Sequence, residues 1–285
     1  MKRLILILLC GAVAAPIHLA AQEEVAPGVL LLGRFADTNI NESSGVIPSH
    51  RGRGAFWTHN DGDNNLFAFT AGGTSLGQWR FGGPLLHDFE DVAWSPGRIY
   101  LADIGNNDLL REHVLVYSVP EPGPTFSGTL PLKGRWKLTY PNGERFDAES
   151  FLVRKRKGYV IAKDLTGGEA RIFRFPLKLR PRPRATFELE PQCELDVDAP
   201  VGGADLTRDG NRLAVITEAG AYLFSLPGGI PETGRIEPTL FVPFSLELME
   251  GCAFTRNGLI VTAETGEILL FTNDLFKLPP RPRRR

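Results

Sequence analysis

Short apolar runs bounded by turn residues follow one another along the whole chain. One order recurs five times: a start that is acidic or rich in glycine, a short apolar run, a turn, a second apolar run and a polar or acidic end. The five stretches span residues 42–61, 88–103, 147–164, 202–218 and 250–264. Further apolar runs follow them, for example VLVYSV at 114–119 and AYLFSL at 221–226. The pattern predicts an all-β chain built from repeated hairpins with additional outer strands.

The spacing of the repeats predicts the architecture. One residue near the start of each repeat serves to measure the spacing, and these residues are Ser44, Glu90, Glu149, Gly202 and Glu250. Successive members of this set are 46, 59, 53 and 48 residues apart. Repeats of about 40–50 residues with several strands per unit are typical of a β-propeller. We therefore predict a single five-bladed β-propeller, with six blades as the alternative if the long second or third unit contains another blade.

The fifth repeat is too short for a complete blade, because only residues 272–278 follow its third apolar run before the tail. The N-terminal run GVLLLGRF at 28–35 has no repeat of its own. An N-terminal strand that completes the last blade would cover an open sheet edge, which otherwise promotes aggregation. We expect this strand to close the ring.

Both ends of the chain lie outside the repeats. Lys2 and Arg3 precede the apolar residues 4–9, small residues follow through Ala14 and Ala15, and Leu19, Ala20 and Ala21 end the stretch. This order is typical of a secretory signal peptide, and its apolar core is too short to span a bilayer as a helix. We predict a signal peptide at 1–21, a propeller domain at 22–277 and a disordered basic Pro/Arg tail at 278–285. The mature protein would then be periplasmic or secreted in a bacterium, without a transmembrane segment.

The overall charge argues against one class of partner. The chain has 32 Lys and Arg against 33 Asp and Glu, which gives a formal net charge of -1. A nucleic-acid partner is not expected, because such binding needs a basic excess. We expect a monomer that contacts a small ligand or a protein at the rim of its channel.

Carboxylates flank each hairpin, and the propeller fold would bring them together. In an antiparallel hairpin, the start of the first strand and the end of the second lie at the same end. If the first strand of each repeat is innermost, that end surrounds the central channel. The candidate metal ligands are Glu42, Asp61, Asp88, Glu90, Asp103, Asp147, Glu149, Glu250 and Glu264. Asp91 and Asp205 are expected near the same rim.

Two arrangements would relieve the repulsion among these acids. Many carboxylates on one rim repel one another unless cations neutralise them. A set of oxygen ligands without cysteine suits Ca²⁺ better than Zn²⁺. The alternative is a ring of ion pairs and hydrogen bonds in which Lys163, Arg145 and Arg111 neutralise the acids. The sequence leaves both arrangements open.

Two other sites have weaker support. The stretch NDGDNN at 60–65 spaces Asp61, Asp63 and Asn65 as an EF-hand loop would, but Gly72 stands where that loop needs its glutamate. His87 lies beside Asp88 and is a candidate general base.

Several short motifs carry a resemblance to a known family. They are NESSGV, HNDG, DFEDVAW, YLADIGNN, YPNGERFDAES, GADLTRDG and MEG. Through them, about residues 38–272 resemble the secreted bacterial propellers related to the SdiA-regulated proteins, which are similar to NHL-repeat propellers. The resemblance implies a β-propeller with a calcium site, and it implies no established reaction. Gly202 stands where other repeats carry an acid, so a complete five-fold ring of carboxylates is not expected.

Together these patterns predict an exported β-propeller that binds a calcium ion at an acidic axial rim and acts as a ligand- or protein-binding module. The alternative is a Ca²⁺-dependent hydrolase of the propeller lactonase or phytase type. In such an enzyme the ion would polarise a carbonyl or phosphoryl oxygen. The two differ in whether a pocket reaches the metal.

Overall fold

The computed structural model describes residues 23–163, 169–177, 185–198 and 200–276. The predicted signal peptide at 1–21 and the predicted tail at 278–285 lie outside these residues. Twenty-four strands and one 3-10 turn, Pro141–Gly143, make up the regular structure of the described part. None of its helical segments is long and apolar enough to cross a membrane.

The strands are short and follow the apolar runs of the sequence. The first eight are β1 (Glu23–Ala26), β2 (Val29–Arg34), β3 (Ser43–Pro48), β4 (Ala55–Asn60), β5 (Asn65–Thr70), β6 (Ser75–Phe81), β7 (Phe89–Ser95) and β8 (Arg98–Asp103). The next eight are β9 (Val114–Pro120), β10 (Gly128–Leu130), β11 (Gly134–Thr139), β12 (Ala148–Arg154), β13 (Lys157–Ala162), β14 (Glu169–Pro176), β15 (Thr186–Glu188) and β16 (Glu190–Asp196). The last eight are β17 (Gly203–Leu206), β18 (Arg212–Thr217), β19 (Gly220–Ser225), β20 (Arg235–Ile236), β21 (Leu240–Pro243), β22 (Met249–Phe254), β23 (Gly258–Ala263) and β24 (Glu267–Thr272).

The strands form five separate sheets, which are the blades of a propeller. Each blade begins with an innermost strand, which is β3, β7, β12, β17 or β22, and the following strands add antiparallel towards the outside. The innermost strands of neighbouring blades contact one another all the way around the ring. The predicted all-β, five-bladed propeller is therefore confirmed, and the six-bladed alternative does not apply.

The N-terminal segment closes the ring as predicted. Strand β2 pairs antiparallel with β24, and β1 folds back on β2, so the fifth blade is completed by residues from the start of the chain. This pairing satisfies the backbone edge that β24 would otherwise expose.

Three of the outer edges are covered by strands from the following blade. Strands β10, β15 and β20 lie in the long connections of blades 2, 3 and 4, and each pairs in parallel with the fourth strand of the blade before it. The apolar run TFELE at 186–190 is divided between two blades. Its first part is β15 at the edge of blade 2, and its last residue begins β16 in blade 3.

The hydrophobic core lies between the blades. Five clusters of buried side chains fill the five gaps between neighbouring sheets. Trp57 packs between blades 1 and 2, and Trp136 packs between blades 2 and 3, where both are almost completely buried. Because this packing holds the innermost strands level with one another, their first residues meet at one end of the channel.

Candidate metal centre at one end of the channel

Three glutamates near the channel occupy irregular positions in their strands. The pairing register shifts by one residue at Glu90 in β7, at Glu149 in β12 and at Glu250 in β22. Such a β-bulge leaves one residue without a ladder partner and redirects its side chain. The innermost strand of blade 4, which has no glutamate at this place, pairs without a shift. The innermost strand of blade 1 also shifts register, between Ser43 and Val46, without an acid at that place, so the irregularity belongs to four of the five repeats and three of them use it to carry a glutamate.

The structure brings six of the nine predicted ligands into two groups. In each group, carboxylate oxygens from three residues lie within 4.8 Å of one another. The first group, called the inner triad, consists of Asp88, Glu90 and Asp147. The second group, called the outer triad, consists of Asp61, Glu250 and Glu264. Both triads combine residues from different blades, as the hairpin geometry predicts.

The other three predicted ligands have different surroundings. Glu149 accepts a hydrogen bond from Lys163 at 2.7 Å and also contacts Glu90 of the inner triad. Asp103 is buried and forms an ion pair with Arg111 at 2.8 Å. Glu42 is exposed to solvent and belongs to neither triad. Of these three carboxylates, Asp103 and Glu149 therefore have a cation of the protein as partner, and Glu42 faces solvent.

The facing carboxylates strongly disfavour one another's charge. Burial raises the pKa of Asp61 to about 8, and the charge of Glu264 adds to this effect. Burial and the charge of Glu149 raise the pKa of Glu250 to about 9. The same two causes raise the pKa of Glu90 well above its ordinary value. Without a bound cation, part of this site must therefore hold protons at neutral pH.

The cations supplied by the protein do not match the acids in number. Within the described part of the chain, only Lys163 and Arg111 form ion pairs with any of the nine predicted ligands. Arg145, the third cation expected in a neutralising ring, instead lies near Glu112 and donates to the carbonyl oxygens of Leu109 and Leu110. A ring of ion pairs therefore accounts for a minority of the carboxylates.

The inner triad has two features that suit a bound cation. Oδ1 of Asp147 accepts from the backbone N–H groups of Asn106 and Ala148, whereas its Oδ2 is buried and has no hydrogen-bond partner among the described residues. Gly105 lies against the carboxyl groups of Glu90 and Asp88, where a Cβ atom would overlap with both. A buried oxygen without a donor is costly, and a cation would satisfy it.

Two acids expected at the rim have a structural role instead. Oδ2 of Asp91 accepts a hydrogen bond from the backbone N–H of Phe151 in the next blade, at 2.7 Å. Oδ2 of Asp205 accepts from the N–H of Phe254 in the next blade, also at 2.7 Å. These carboxylates point sideways between innermost strands and connect blades 2 and 3 and blades 4 and 5. Asp91 follows the bulge at Glu90, and its side chain leaves the channel while that of Glu90 enters it.

The NDGDNN loop forms a turn and not an independent ligand set. Oδ1 of Asp63 accepts from the N–H of Asn65 at 2.8 Å, and Oδ2 accepts from the side chain of Asn60 at 3.1 Å. Asp61, the first acid of the loop, belongs to the outer triad. The loop therefore contributes one carboxylate, that of Asp61, to the channel. The EF-hand-like spacing of the loop does not indicate this role.

A cavity of about 770 Å³ is lined by Asp103, which accepts a hydrogen bond from the backbone N–H of Asp88 at 3.2 Å, whereas no member of the inner triad itself lines the cavity. His87, Asp103 and Arg111 line it, together with the apolar side chains of Leu115 and Tyr117. A volume of this size is in the range of small-molecule sites. The Asp103–Arg111 ion pair thus borders the cavity, and His87 precedes Asp88 of the triad in the sequence.

The raised pKa values predict how stability depends on pH in the absence of metal. Asp61 and Glu250 keep their protons in the folded protein up to about pH 8 and 9, whereas the unfolded chain releases them near about pH 4. The folded state binds more protons over this interval, so the free energy of unfolding falls as pH rises. Thermal melts in a chelator should give a lower Tm at about pH 9 than at about pH 5. An unchanged or rising Tm over this range would show that the pKa values of these carboxyl groups are not raised in the folded protein.

Comparisons with known proteins identify no family for the chain. No family model and no curated protein matches the chain. Among solved structures, a luciferin-regenerating enzyme is similar at 8% identity with a TM-score of 0.44, over 85% of this chain and 94% of that chain. A hydrazine synthase of Kuenenia stuttgartiensis is similar at 11% identity with a TM-score of 0.41, over 80% of this chain and 57% of that chain. At this level of similarity, neither named activity is assigned to the present chain. Its own structure defines it as a five-bladed propeller with an acidic cluster at one end of its channel.

Proposed function

We propose that the acidic end of the channel binds a calcium ion, and that the protein is an exported β-propeller that presents this end to a ligand or a protein. One observation carries the proposal. The carboxylates of Asp88, Glu90 and Asp147 converge from two blades, and Asp147 contributes a buried oxygen that has no hydrogen-bond donor among the described residues.

The chemistry of the inner triad favours calcium among common cations. Calcium binds six to eight oxygen ligands at about 2.3–2.6 Å, so two oxygens on opposite sides of one ion are about 4.8 Å apart. The oxygens of the triad lie within 4.8 Å of one another. Zinc prefers nitrogen and sulfur ligands, and the triad offers neither. Three carboxylates supply at most six oxygens, and bound water would complete the shell.

The inner triad is the stronger of the two candidate sites. Glu90 and Asp147 are both almost completely buried, whereas all three members of the outer triad are partly exposed. A buried carboxylate gains more from a cation than an exposed one, because water screens it less. We therefore place the ion at the inner triad, with Glu149 as a further oxygen donor beside Glu90.

The location and the family are part of the same proposal. The N-terminal residues have the order of a signal peptide, which supports export to the periplasm or beyond. The motifs DFEDVAW and YLADIGNN support membership of the SdiA-regulated, NHL-like group of secreted propellers. The first motif supplies Asp88 and Glu90 of the inner triad, and the second supplies Gly105, which packs against them.

Calorimetric titration of the chelator-treated protein tests calcium binding. We expect heat of Ca²⁺ binding with a saturating stoichiometry, and weaker binding of Mg²⁺, which keeps its own waters and needs a smaller octahedral site. Asp63→Asn should bind as the wild type does, because Asp63 serves a turn. Absence of Ca²⁺ binding, or its loss in Asp63→Asn, would contradict the proposed site.

The cavity favours a second candidate function, a Ca²⁺-dependent hydrolase. An ion at the inner triad would lie near a cavity that could hold a substrate, and His87 at its wall could transfer a proton. A screen of lactones and phosphoesters with and without Ca²⁺ separates the two functions. Calcium-dependent turnover that His87→Asn abolishes would establish the enzyme, and calcium binding without turnover supports the binding module.

A further inference from the structure

The end of the channel opposite to the carboxylates is strongly basic. Five turns join the first and second strands of the blades, at residues 49–54, 95–98, 154–157, 207–212 and 255–257. Their cations are Arg51, Arg53, Arg98, Arg154, Lys155, Arg156, Lys157, Arg208, Arg212 and Arg256. Asp209 is the one acidic residue in these five turns. We call the surface formed by the five turns the basic face.

Contacts between the turns show that they share one end of the molecule. The Arg154 guanidinium in blade 3 donates to the carbonyl oxygens of Asp209 and Gly210 in blade 4, each at 2.5 Å. Burial lowers the pKa of His50 in blade 1, and the positive charge of Arg208 in blade 4 acts in the same direction, so the two side chains are near each other. The basic residues therefore form one surface and not five separate patches.

Most of these cations are available to a partner. Seven of them are exposed, and none of the seven forms an ion pair with a carboxylate in the described part of the chain. The acidic triads lie at the other end of the strands. Although the net charge of the chain is -1, the molecule is thus polarised along its axis. A polarised protein approaches a charged surface in one orientation.

The turn of blade 3 adopts a backbone conformation that its residues disfavour. Lys155 and Arg156 form a two-residue hairpin turn with φ of 46° and 64°. Such turns normally contain Asn and Gly, because other side chains are strained at positive φ. Two adjacent cations at this place cost stability and project from the end of the blade. A strained conformation of this kind indicates a functional requirement.

An exposed aromatic side chain belongs to a loop that contacts the basic face. Phe126 is 67% exposed and belongs to the loop at 121–127, which packs against Gly52 in the turn of blade 1. Glu121 anchors this loop by accepting hydrogen bonds from the N–H of His50 at 2.6 Å and the Trp94 indole at 2.7 Å. Aromatic rings next to basic residues are typical of surfaces that lie at a membrane interface.

We propose that the basic face docks on an anionic lipid surface, so that the acidic end of the channel points away from the membrane. The cations come from turns distributed around the ring, and such an arrangement fits an extended surface of negative charge better than a single polyanionic strand. Each cation close to an anionic lipid surface increases affinity about fivefold. Phe126 would enter the headgroup region from the loop that contacts the turn of Arg51 and Arg53. The inference is independent of the proposed calcium site.

Cosedimentation with lipid vesicles tests the proposal. The mature chain, residues 22–285, should bind vesicles of phosphatidylcholine that contain phosphatidylglycerol, and should not bind vesicles of phosphatidylcholine alone. High salt should release it, because salt screens exposed charges. Binding to both kinds of vesicle, or to neither, would overturn the proposal, as would a preference for heparin or single-stranded DNA over the anionic vesicles.

The turn of blade 3 offers a variant that separates binding from folding. Lys155→Asn with Arg156→Gly supplies the residues that the turn prefers, so this variant should be at least as stable as the wild type. It should nevertheless bind anionic vesicles at least tenfold more weakly, because it lacks two cations. Arg135→Gln with Lys137→Gln removes two cations from β11, outside the basic face, and should leave vesicle binding unchanged. Equal binding by the two double variants would contradict the assignment. Both variants keep the basic tail at 278–285, so the tail does not account for a difference between them.

Discussion

Asp147→Asn is expected to stabilise the metal-free protein and to abolish its response to calcium. The asparagine keeps an oxygen for the N–H groups of Asn106 and Ala148, and places an amide where Oδ2 has no donor. That amide can donate to the facing carboxylates, so like-charge repulsion becomes a hydrogen bond. We expect a gain of about 1 kcal/mol in the free energy of unfolding in a chelator at neutral pH.

In the presence of calcium, the same variant is expected to gain less stability than the wild type. Calcium should raise the Tm of the wild type, because a ligand that binds only the folded state stabilises it. Asp147→Asn should lose most of this shift, and Glu90→Gln should behave in the same way. Asp63→Asn, in the NDGDNN turn, is the control that keeps the full shift. If Asp147→Asn destabilises the metal-free protein and retains its calcium shift, the inner triad is a structural cluster and not a metal site.

Asp103→Asn is expected to have the opposite effect on the metal-free protein. Asp103 is buried and forms its ion pair with Arg111, which is itself mostly buried. Removing one partner of a buried pair leaves the other charge without compensation, at a cost of about 3 kcal/mol. Urea denaturation should show this loss with and without calcium. A calcium shift of normal size would confirm that Asp103 supports the fold while the inner triad binds the ion.

A second substitution checks the cause of this loss. Arg111→Gln combined with Asp103→Asn removes both charges, so the double variant should recover part of the stability lost in Asp103→Asn. Additive losses in the double variant would mean that the two side chains act independently. Without metal, Asp103→Asn is expected to lower the free energy of unfolding and Asp147→Asn to raise it. This difference distinguishes two kinds of carboxylate at the same rim.

The sequence was sufficient to predict the repeating architecture. Apolar runs at regular spacing gave the hairpins, the number of blades and the closing role of the run at 28–35, because each feature is local or follows from repetition. The edge strands β10, β15 and β20 were not predictable in this way. They pair with the preceding blade, and such pairing depends on where a long connection lies in space.

The convergence of the acids could also be predicted, but their individual surroundings could not. Hairpin geometry places Glu90 and Asp147 at the same end of neighbouring blades. It does not show that a bulge directs Glu90 into the channel while Asp91 turns towards Phe151. The pairing of Asp103 with Arg111 depends on the path of the loop between them. Each of these distinctions results from one residue of register or one loop, which composition and spacing do not determine.

A crystal of the protein grown with calcium, measured for anomalous scattering, tests the central claim most directly. An ion bound as proposed would give a peak in the anomalous difference map between the carboxylates of Asp88, Glu90 and Asp147. A map with no peak at this end of the channel, from a crystal grown in saturating calcium, would contradict the account.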